Sequence, residues 1–272
     1  MAAIDPLLLA TVQVGTCLGT RRLTNASGFF FRRGERLYLV SSRHVFIDDE
    51  SGHHPDRIEI ELHTDTDNLA ESVCLSVLLY RDGLANWRQG EDTGGDVDVA
   101  VIEIDASALP QGVALPAFTP AHLPGPQDDV AIGQAVLIPG FPLGFHDGLH
   151  HLPVVRQGSV ASPYGWRFQG MGWFLTDART HRGTSGAPVV VRDAGRGALP
   201  WLLVGIHSSR LDMGNRDVAV DESLGLNASW YPTIVMTLTD PDAVVKPRPS
   251  RPVAGAPAGA GAPRATAKKP PP

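Results

Sequence analysis

Residues 175–188, with the sequence LTDARTHRGTSGAP, constrain the fold more than any other part of the chain. Gly183 and Gly186 flank Ser185, and Pro188 follows closely. Such a cluster is unfavourable inside a helix or a central strand, because glycine weakens both and proline removes a backbone donor. It predicts a tight loop that exposes the serine hydroxyl and directs backbone N–H groups toward one point, as stabilisation of an oxyanion requires. Ala187 stands where the α/β-hydrolase elbow needs glycine, which disfavours that fold.

The distribution of apolar residues favours an all-β protein. The 272 residues include 29 glycines and 23 prolines, and stretches with a helical period are short. Residues 57–63 alternate aliphatic and polar side chains, which is typical of a half-buried strand. We predict that residues 8–18 form the first strand and that the polar, glycine-bearing residues 82–95 form a loop. The length suits one bilobal unit or two small domains.

A proline-rich segment without clear periodicity divides the chain. We predict an N-terminal lobe at residues 1–115, a crossover at 116–130 and a C-terminal lobe at 131–245. Residues 231–238 are predicted to form a short terminal helix. Residues 246–272 are rich in proline, alanine and glycine and lack large apolar side chains, so we expect a disordered tail.

The charge of the chain is unevenly distributed. The formal net charge is −6, but residues 246–272 contain three lysines, three arginines and no acid, which leaves −12 for residues 1–245. An acidic body argues against nucleic-acid binding by the folded part. The basic tail has the charge to contact acidic partners, although a solvated, disordered end is the simpler interpretation.

The cysteines and the apolar runs bear on cellular location. Cys17 and Cys74 are far apart in sequence, and a small secreted domain usually carries several disulfides, so we expect both cysteines to be buried and reduced. No apolar run reaches about 18 residues, which predicts no membrane span. The first residues lack a basic segment and include Asp5 and Pro6, which is unfavourable in a signal peptide. We therefore expect a cytoplasmic protein.

A histidine and an aspartate precede the serine loop in positions suited to catalysis. Two short predicted strands in residues 27–45, SGFFFRRGERLYLVSSRHV, lead directly to His44. Asp98 lies at the start of a strand that is apolar enough to be buried, where an aspartate can stay ionised and accept a hydrogen bond from imidazole. Asp96 is the rival, because it is two residues earlier and its side chain would point to the same face of the strand. We favour Asp98 and interpret Asp96 as a solvated turn residue.

These motifs resemble those of the trypsin-like serine proteases, which have the chymotrypsin fold. The resemblance rests on the G-x-S-G-x-P loop, the strand pair before His44 and the Asp-Val-Ala-Val sequence that begins at Asp98. The order His, Asp, Ser is also that of chymotrypsin. The resemblance implies two six-stranded antiparallel β-barrels with the active site between them, a polypeptide substrate and no cofactor. It further implies that Ser185 is the nucleophile, His44 the general base and Asp98 its orienting acid, with the N–H groups of Gly183 and Ser185 forming the oxyanion hole.

Two departures from the trypsin pattern carry information. Secreted trypsins have a disulfide cysteine after the catalytic histidine, whereas Val45 follows His44 here. Trypsins that are activated by cleavage have an aspartate before the nucleophile, and this chain has the uncharged Thr184. We therefore expect activity without N-terminal processing.

The resemblance also points to residues of the specificity pocket. The position six before Ser185, at the pocket base, holds Arg179, and Thr180 follows it. A threonine here together with His207 resembles glutamyl endopeptidases and viral 3C-like proteases, which implies Glu or Gln at P1, the residue before the scissile bond. The alternative is that His207 is a packed strand residue and that the pocket takes small apolar side chains. Ser208 is expected to support the triad aspartate by a hydrogen bond.

Two other functions remain open at this stage. The chain could be a trypsin-fold binding module without turnover, or an esterase of another fold, although the residue order disfavours the esterase. A cytoplasmic protease without a propeptide would need a restraint: narrow specificity, a distorted resting oxyanion loop or a regulatory protein partner. His146, His150 and His151 raise the question of a metal site, but their loop contains glycine and is unsuited to a helical ligand face, so we expect none.

Overall fold

The protein is built almost entirely of β-strands, as the sequence predicts. A computed structural model describes residues 4–110, 112–113, 115–211 and 224–242, and within them it has fifteen strands and three short α-helices. The strands of the first half are β1 (Thr11–Leu18), β2 (Arg21–Arg33), β3 (Arg36–Ser41), β4 (Arg57–His63), β5 (Ser72–Leu78), β6 (Tyr80–Arg81), β7 (Leu84–Ala85), β8 (Trp87–Asp92) and β9 (Gly95–Ile104). Those of the second half are β10 (Ala135–Gly140), β11 (Val154–Ser159), β12 (Trp173–Thr176), β13 (Pro188–Arg192), β14 (Trp201–Arg210) and β15 (Asn227–Trp230). The helices are α1 (Pro6–Ala10), α2 (Arg43–Phe46) and α3 (Ile234–Leu238).

The first lobe is a curled antiparallel sheet in the order β5-β4-β1-β2-β3-β9-β8. It has seven strands where six were expected. Both edges of the sheet are separate strands: β5 pairs with β4, and β8 pairs with β9. The hairpin of β6 and β7 lies between β5 and β8 in the chain and is not part of this sheet. Alternation along the strands directs Val14, Phe30, Leu39, Ile58 and Ile102 into a common buried core.

The second lobe is a six-stranded antiparallel sheet in the order β11-β10-β13-β14-β15-β12. Its two outer strands meet, since Val160, just after β11, forms an antiparallel bridge with Thr176 of β12. The sheet therefore closes on itself as a barrel. Val136, Val189 and Val204 fill its interior.

A third apolar cluster holds the lobes together. Phe29, Tyr38 and Val99 of the first sheet pack with Leu203 and Ile206 of the second, all of them almost fully buried. The helix α3, which was predicted within residues 231–238, contributes Val235 and Leu238 to the same cluster. Because the contact is buried and apolar, it fixes the position of one lobe against the other.

The N-terminal segment differs from the prediction. Residues 8–18 were expected to be a single strand, but residues 8–10 belong to the helix α1. Pro6 stands at its first position, and the Asp5 side chain accepts a 3.0 Å hydrogen bond from the Leu7 N–H. An aspartate N-cap followed by proline is a helix start signal, and it overrides the apolar run. Asp5 also accepts a 2.9 Å hydrogen bond from Trp201 Nε1 on the second sheet.

Two further expectations for the first lobe need correction. Residues 82–95 were predicted to be a loop, yet they contain β8, whose sequence WRQGED has no alternation and which is a strand through its pairing with β9. Cys17 is buried and unpaired as expected, but Cys74 is exposed on β5. It shares the outward face of that strand with Ser76 and Leu78, since alternate residues point to opposite sides.

The crossover between the lobes has little regular structure. It contains one short 3₁₀ turn at Pro120–His122, a second at Ala106–Ala108 precedes it, and Phe118 bridges back to Phe31 of β2. The exact lobe boundaries remain a prediction, and the tail at 246–272 lies outside the described residues. No helix in the described part of the chain is long and apolar enough to span a membrane.

Candidate active site

His44 is delivered to the cleft by the end of β3. Ser42 takes the N-cap position, and the short helix α2 begins at the next residue. Val45 and Phe46 are buried in the core of the first lobe. Their burial leaves the His44 side chain toward the second lobe, with 35% of it exposed.

Asp98 lies on β9 and is held against His44 by three hydrogen bonds. Its Oδ1 accepts from the His44 backbone N–H at 2.9 Å, and its Oδ2 lies 2.8 Å from His44 Nδ1. Ser208 Oγ of the second lobe donates to the same Oδ2 at 2.6 Å. Asp96, the rival from the sequence, is exposed and stands opposite Glu91 of β8. The structure thus brings Asp98, and not Asp96, to the imidazole.

The pKa values of His44 and Asp98 are shifted in opposite directions, as expected for an ion pair. Burial lowers the pKa of His44, but the hydrogen bond and the charge of Asp98 outweigh it, and the net pKa lies above the ordinary 6.5. Burial raises the pKa of Asp98, but the hydrogen bonds from His44 and Ser208 lower it by more. The pKa of the carboxyl therefore lies below its usual range. An ionised Asp98 can only accept, so the neutral imidazole carries its proton on Nδ1. That tautomer leaves the Nε2 lone pair available as a base.

The loop around Ser185 depends on its two glycines. Gly183 has φ +92° and Gly186 has φ +85°, in the region that favours glycine. A Cβ atom at Gly183 would lie 2.5 Å from the Phe141 carbonyl oxygen, and one at Gly186 would collide with Ser27 O and Ser41 Oγ. Backbone conformation and close packing therefore both require glycine at these positions.

The same loop presents backbone donors. Ser27 Oγ donates to Gly183 O at 2.8 Å, and the Leu143 N–H donates to Arg182 O at 2.5 Å. Because a trans peptide places its C=O and N–H on opposite sides, the bond to Arg182 O also fixes the direction of the Gly183 N–H. Within the described residues, neither the Gly183 nor the Ser185 N–H has a backbone or side-chain acceptor. Both donors are thus available to a ligand oxygen.

His44 and Ser185 line two pockets. The first, which we call the Asp48 pocket, has a volume of about 360 Å³ and includes Asn25, Asp48 and His53. The second, the His207 pocket, has a volume of about 200 Å³ and is lined, besides His44 and Ser185, by His181, Arg182, His207, Ser208, Ser209 and Arg210. The proposed nucleophile and base therefore lie where two clefts meet.

The structure separates the four predicted substrate-binding residues. His207 and Ser208 line the His207 pocket. Arg179 is exposed and lines neither pocket. Thr180 is buried, and its hydroxyl donates to Asn227 Oδ1 at 2.5 Å, so it supports the pocket wall instead of facing a ligand. The expectation of a threonine hydroxyl in the pocket is therefore wrong for this structure.

Burial decides the state of His207. The residue is 2% exposed, and its pKa is lowered to about 3, first by burial and then by the charge of His44. The ring is therefore neutral at physiological pH. Its Nδ1 is buried and has no hydrogen-bond partner among the described residues. We expect the proton on Nε2, because an unsatisfied buried acceptor is tolerated better than an unsatisfied donor.

Sequence reasoning missed four residues of this pocket: His181, Arg182, Ser209 and Arg210. Arg182 could have been found, since it directly precedes the first glycine of the serine loop. Arg210 and His181 offer no local motif. They reach the pocket because β14 runs beside the serine loop, where Gly186 N donates to His207 O at 2.8 Å.

The histidines at 146–151 are engaged in local contacts. His150 Nδ1 bonds to Asp147 Oδ2 at 2.7 Å, and His146 Nδ1 bonds to Gly144 O at the same distance. Among the residues that the structure describes, no group of three or more histidines, cysteines or acids is placed to hold a metal ion.

A comparison with protein families identifies a match over most of the two lobes. The family described as trypsin-like peptidase domain matches residues 26–206, which include His44, Asp98 and Ser185. A search of curated proteins returned no match. The solved structure of a serine endoprotease from Yersinia pestis is similar, with 20% sequence identity and a TM-score of 0.49. The similarity covers 84% of this chain and 61% of that protein, so the chain spans less than two thirds of its length.

Proposed function

Because the chain belongs to the trypsin-like peptidase family, we propose that it is a serine endopeptidase that works through an acyl-enzyme. The observation that carries the proposal is the hydrogen-bonded His44–Asp98 pair, whose His44 lines two pockets together with Ser185. Ser185 attacks the scissile carbonyl, and His44 takes its proton and later returns it to the leaving amine. Asp98 orients the imidazole and stabilises the imidazolium that forms.

The N–H groups of Gly183 and Ser185 stabilise the tetrahedral oxyanion. Their lack of acceptors among the described residues supports this role. Backbone donors that are fixed before the reaction stabilise the developing charge without reorganisation. Thr184 is 1% exposed and uncharged, which supports activity of the intact chain without capture of a new N-terminal amine.

The His207 pocket accommodates the P1 side chain, and we assign it a preference for Glu or Gln. A neutral imidazole that donates from Nε2 suits a carboxylate or a carboxamide oxygen. The threonine hydroxyl expected from Thr180 is not available to a ligand as a donor, because it donates to Asn227, and the Ser208 hydroxyl donates to Asp98. From the sequence alone, we also propose that the protein lies in the cytoplasm and that a protein partner restrains its activity.

Labelling with a fluorophosphonate probe tests the proposal. We expect the purified full-length protein to be labelled, and Ser185→Ala and His44→Ala to abolish labelling. Ser76→Ala, on the exposed face of β5, is the matched control and should label like the wild type. A folded wild-type protein that stays unlabelled would contradict constitutive activity and favour a latent enzyme or a binding module.

A further inference from the structure

Ser27 of β2 belongs to the first lobe, yet it bonds to the loop around Ser185 in the second. Its backbone N–H donates to Ser185 O at 2.9 Å, and its Oγ donates to Gly183 O at 2.8 Å. The residue is fully buried, and it is not among the described residues that line the Asp48 pocket or the His207 pocket. Ser27 therefore holds the loop from behind, without facing a ligand.

The hydroxyl of Ser27 is used both as a donor and as an acceptor. Besides donating to Gly183 O, its oxygen accepts a 3.0 Å hydrogen bond from the Phe141 N–H. Ser27, Phe141 and Gly183 are all buried. Buried backbone groups are almost always hydrogen-bonded. Without the hydroxyl, a buried carbonyl and a buried N–H would both lose this partner, and the loop would have to rearrange to satisfy them.

The bonds from Ser27 flank the peptide units that carry the oxyanion donors. Arg182 O and Thr184 O accept hydrogen bonds from backbone N–H groups of the second lobe, which sets the directions of the Gly183 and Ser185 N–H groups, because a trans peptide places its C=O and N–H on opposite sides. Gly183 O and Ser185 O, on the two peptide units between and after these, are held by Ser27. The alternate peptide units of the loop are thus fixed from the first lobe.

Ser27 is itself held rigidly. Its carbonyl oxygen accepts a 2.8 Å hydrogen bond from Ser41 Oγ of β3. Phe29, two residues further along β2, is buried in the apolar cluster that also contains Leu203 and Ile206 of the second lobe. A residue that positions another group must have its own conformation fixed by packing and hydrogen bonds, and Ser27 meets this requirement.

We propose that Ser27 is a positioning residue of the oxyanion hole, which holds the Gly183 and Ser185 N–H groups in place from the opposite lobe. The proposal rests on the function proposed above and adds a residue that touches neither the substrate nor the reacting atoms. Oxyanion donors stabilise the transition state because they are oriented before the reaction. A loosened loop would lose part of that stabilisation, while the substrate before reaction would bind almost as well.

Ser27→Ala tests this, with Ser162→Ala as the matched control. Ser162 is also a buried serine whose Oγ accepts from a backbone N–H, that of Leu175 at 2.9 Å, but among the described residues it lines neither pocket. Both variants should have a lower melting temperature. Only Ser27→Ala should lower kcat on a peptide with Glu at P1, by at least about tenfold, since loss of a whole donor costs roughly 10²–10³-fold. An equal loss of kcat in both variants would overturn the proposal.

Three readouts distinguish positioning of the oxyanion donors from general damage to the site. In Ser27→Ala, KM should change little, because the lost interaction is made in the transition state. The acid limb of kcat/KM against pH should stay in place, because the contacts between His44 and Asp98 are untouched. Binding of the same peptide to Ser185→Ala, measured by fluorescence polarisation, should be equal with and without Ser27→Ala. A weaker binding that matches the loss of kcat would overturn the proposal.

A measurement without turnover separates this proposal from the proposed function. Backbone hydrogen exchange of residues 182–187 should be faster in Ser27→Ala than in the wild type, and unchanged in Ser162→Ala. Unchanged exchange in Ser27→Ala would overturn the proposal even if the fluorophosphonate probe labels the wild type. Faster exchange in a wild-type background that the probe does not label would contradict the proposed function and support the hold of Ser27 on the loop. If Ser27→Ala does not fold, Ser27→Cys keeps a weaker donor and acceptor and should show the same changes to a smaller extent.

Discussion

The two lobes hold the proposed catalytic groups in different ways. In the first lobe, His44 and Asp98 are fixed by side-chain hydrogen bonds, to which Ser208 adds a third across the cleft. In the second, Ser185 is positioned by backbone geometry, with glycines at positive φ packed against carbonyl oxygens. The His44–Asp98 pair, the polar half of the site, should therefore be sensitive to the loss of polar groups. The Ser185 loop, the steric half, should be sensitive to added side-chain volume.

Asp98→Asn tests the polar half and should have the largest effect. An asparagine side chain keeps the shape but offers N–H groups to the imidazole, which favours the tautomer whose Nε2 is protonated and cannot act as a base. We expect kcat on a peptide substrate to fall by about 10⁴-fold with the fold retained.

The neighbouring Asp96→Asn is the matched control, since Asp96 lies two residues earlier on β9, opposite Glu91 of β8, whereas Asp98 bonds to His44 Nδ1. It should change kcat by less than about threefold, in line with surface substitutions of small effect. A larger loss from Asp96→Asn than from Asp98→Asn would contradict the assignment of the triad.

Gly183→Ala tests the steric half. A methyl group would meet the Phe141 carbonyl oxygen, and the loop would turn its N–H away from the oxyanion. Loss of one such donor lowers turnover by roughly 10²–10³-fold. Gly133→Ala separates the two causes, because Gly133 has φ +79° with no neighbour near the added methyl group. It should lower the melting temperature without changing kcat, and an equal loss of kcat in both variants would contradict the packing argument.

The sequence predicts the proposed triad better than it predicts the pocket. His44, Asp98 and Ser185 each stand in a short local motif, and their order along the chain is itself a signal. The pocket beside them is set by contacts between distant residues. Thr180 could not be assigned correctly, because its hydroxyl is taken by Asn227, 47 residues further on.

Fold prediction shows the same dependence on distance. The strand β4 was predicted with its exact bounds because its alternation is visible in the sequence. The strand β8 has no such pattern and exists through its ladder with β9. The helix α1 was missed for another reason: Asp5 and Pro6 are a local start signal that the apolar run after them obscured.

Asp48→Asn should have the smallest effect of the predicted substitutions. It changes the pKa of His44 through the charge of Asp48, without a direct contact in the proposed mechanism. The negative charge of Asp48 favours the imidazolium form and contributes to the raised pKa of His44. The proposed mechanism needs neutral His44, so activity should fall as the pH drops through that pKa, with the midpoint above 6.5. Removing the charge lowers the pKa of His44. The acid limb of kcat/KM against pH, which reports the free enzyme, should therefore move to lower pH.

The shift of the acid limb should be smaller at high salt, because Asp48 is partly exposed and salt screens its charge. Asp67→Asn, a change of equal charge at an exposed loop, should leave the limb in place. A limb that moves equally in both variants would mean that net charge, and not the field of Asp48 at the His44 ring, sets the pKa of the base.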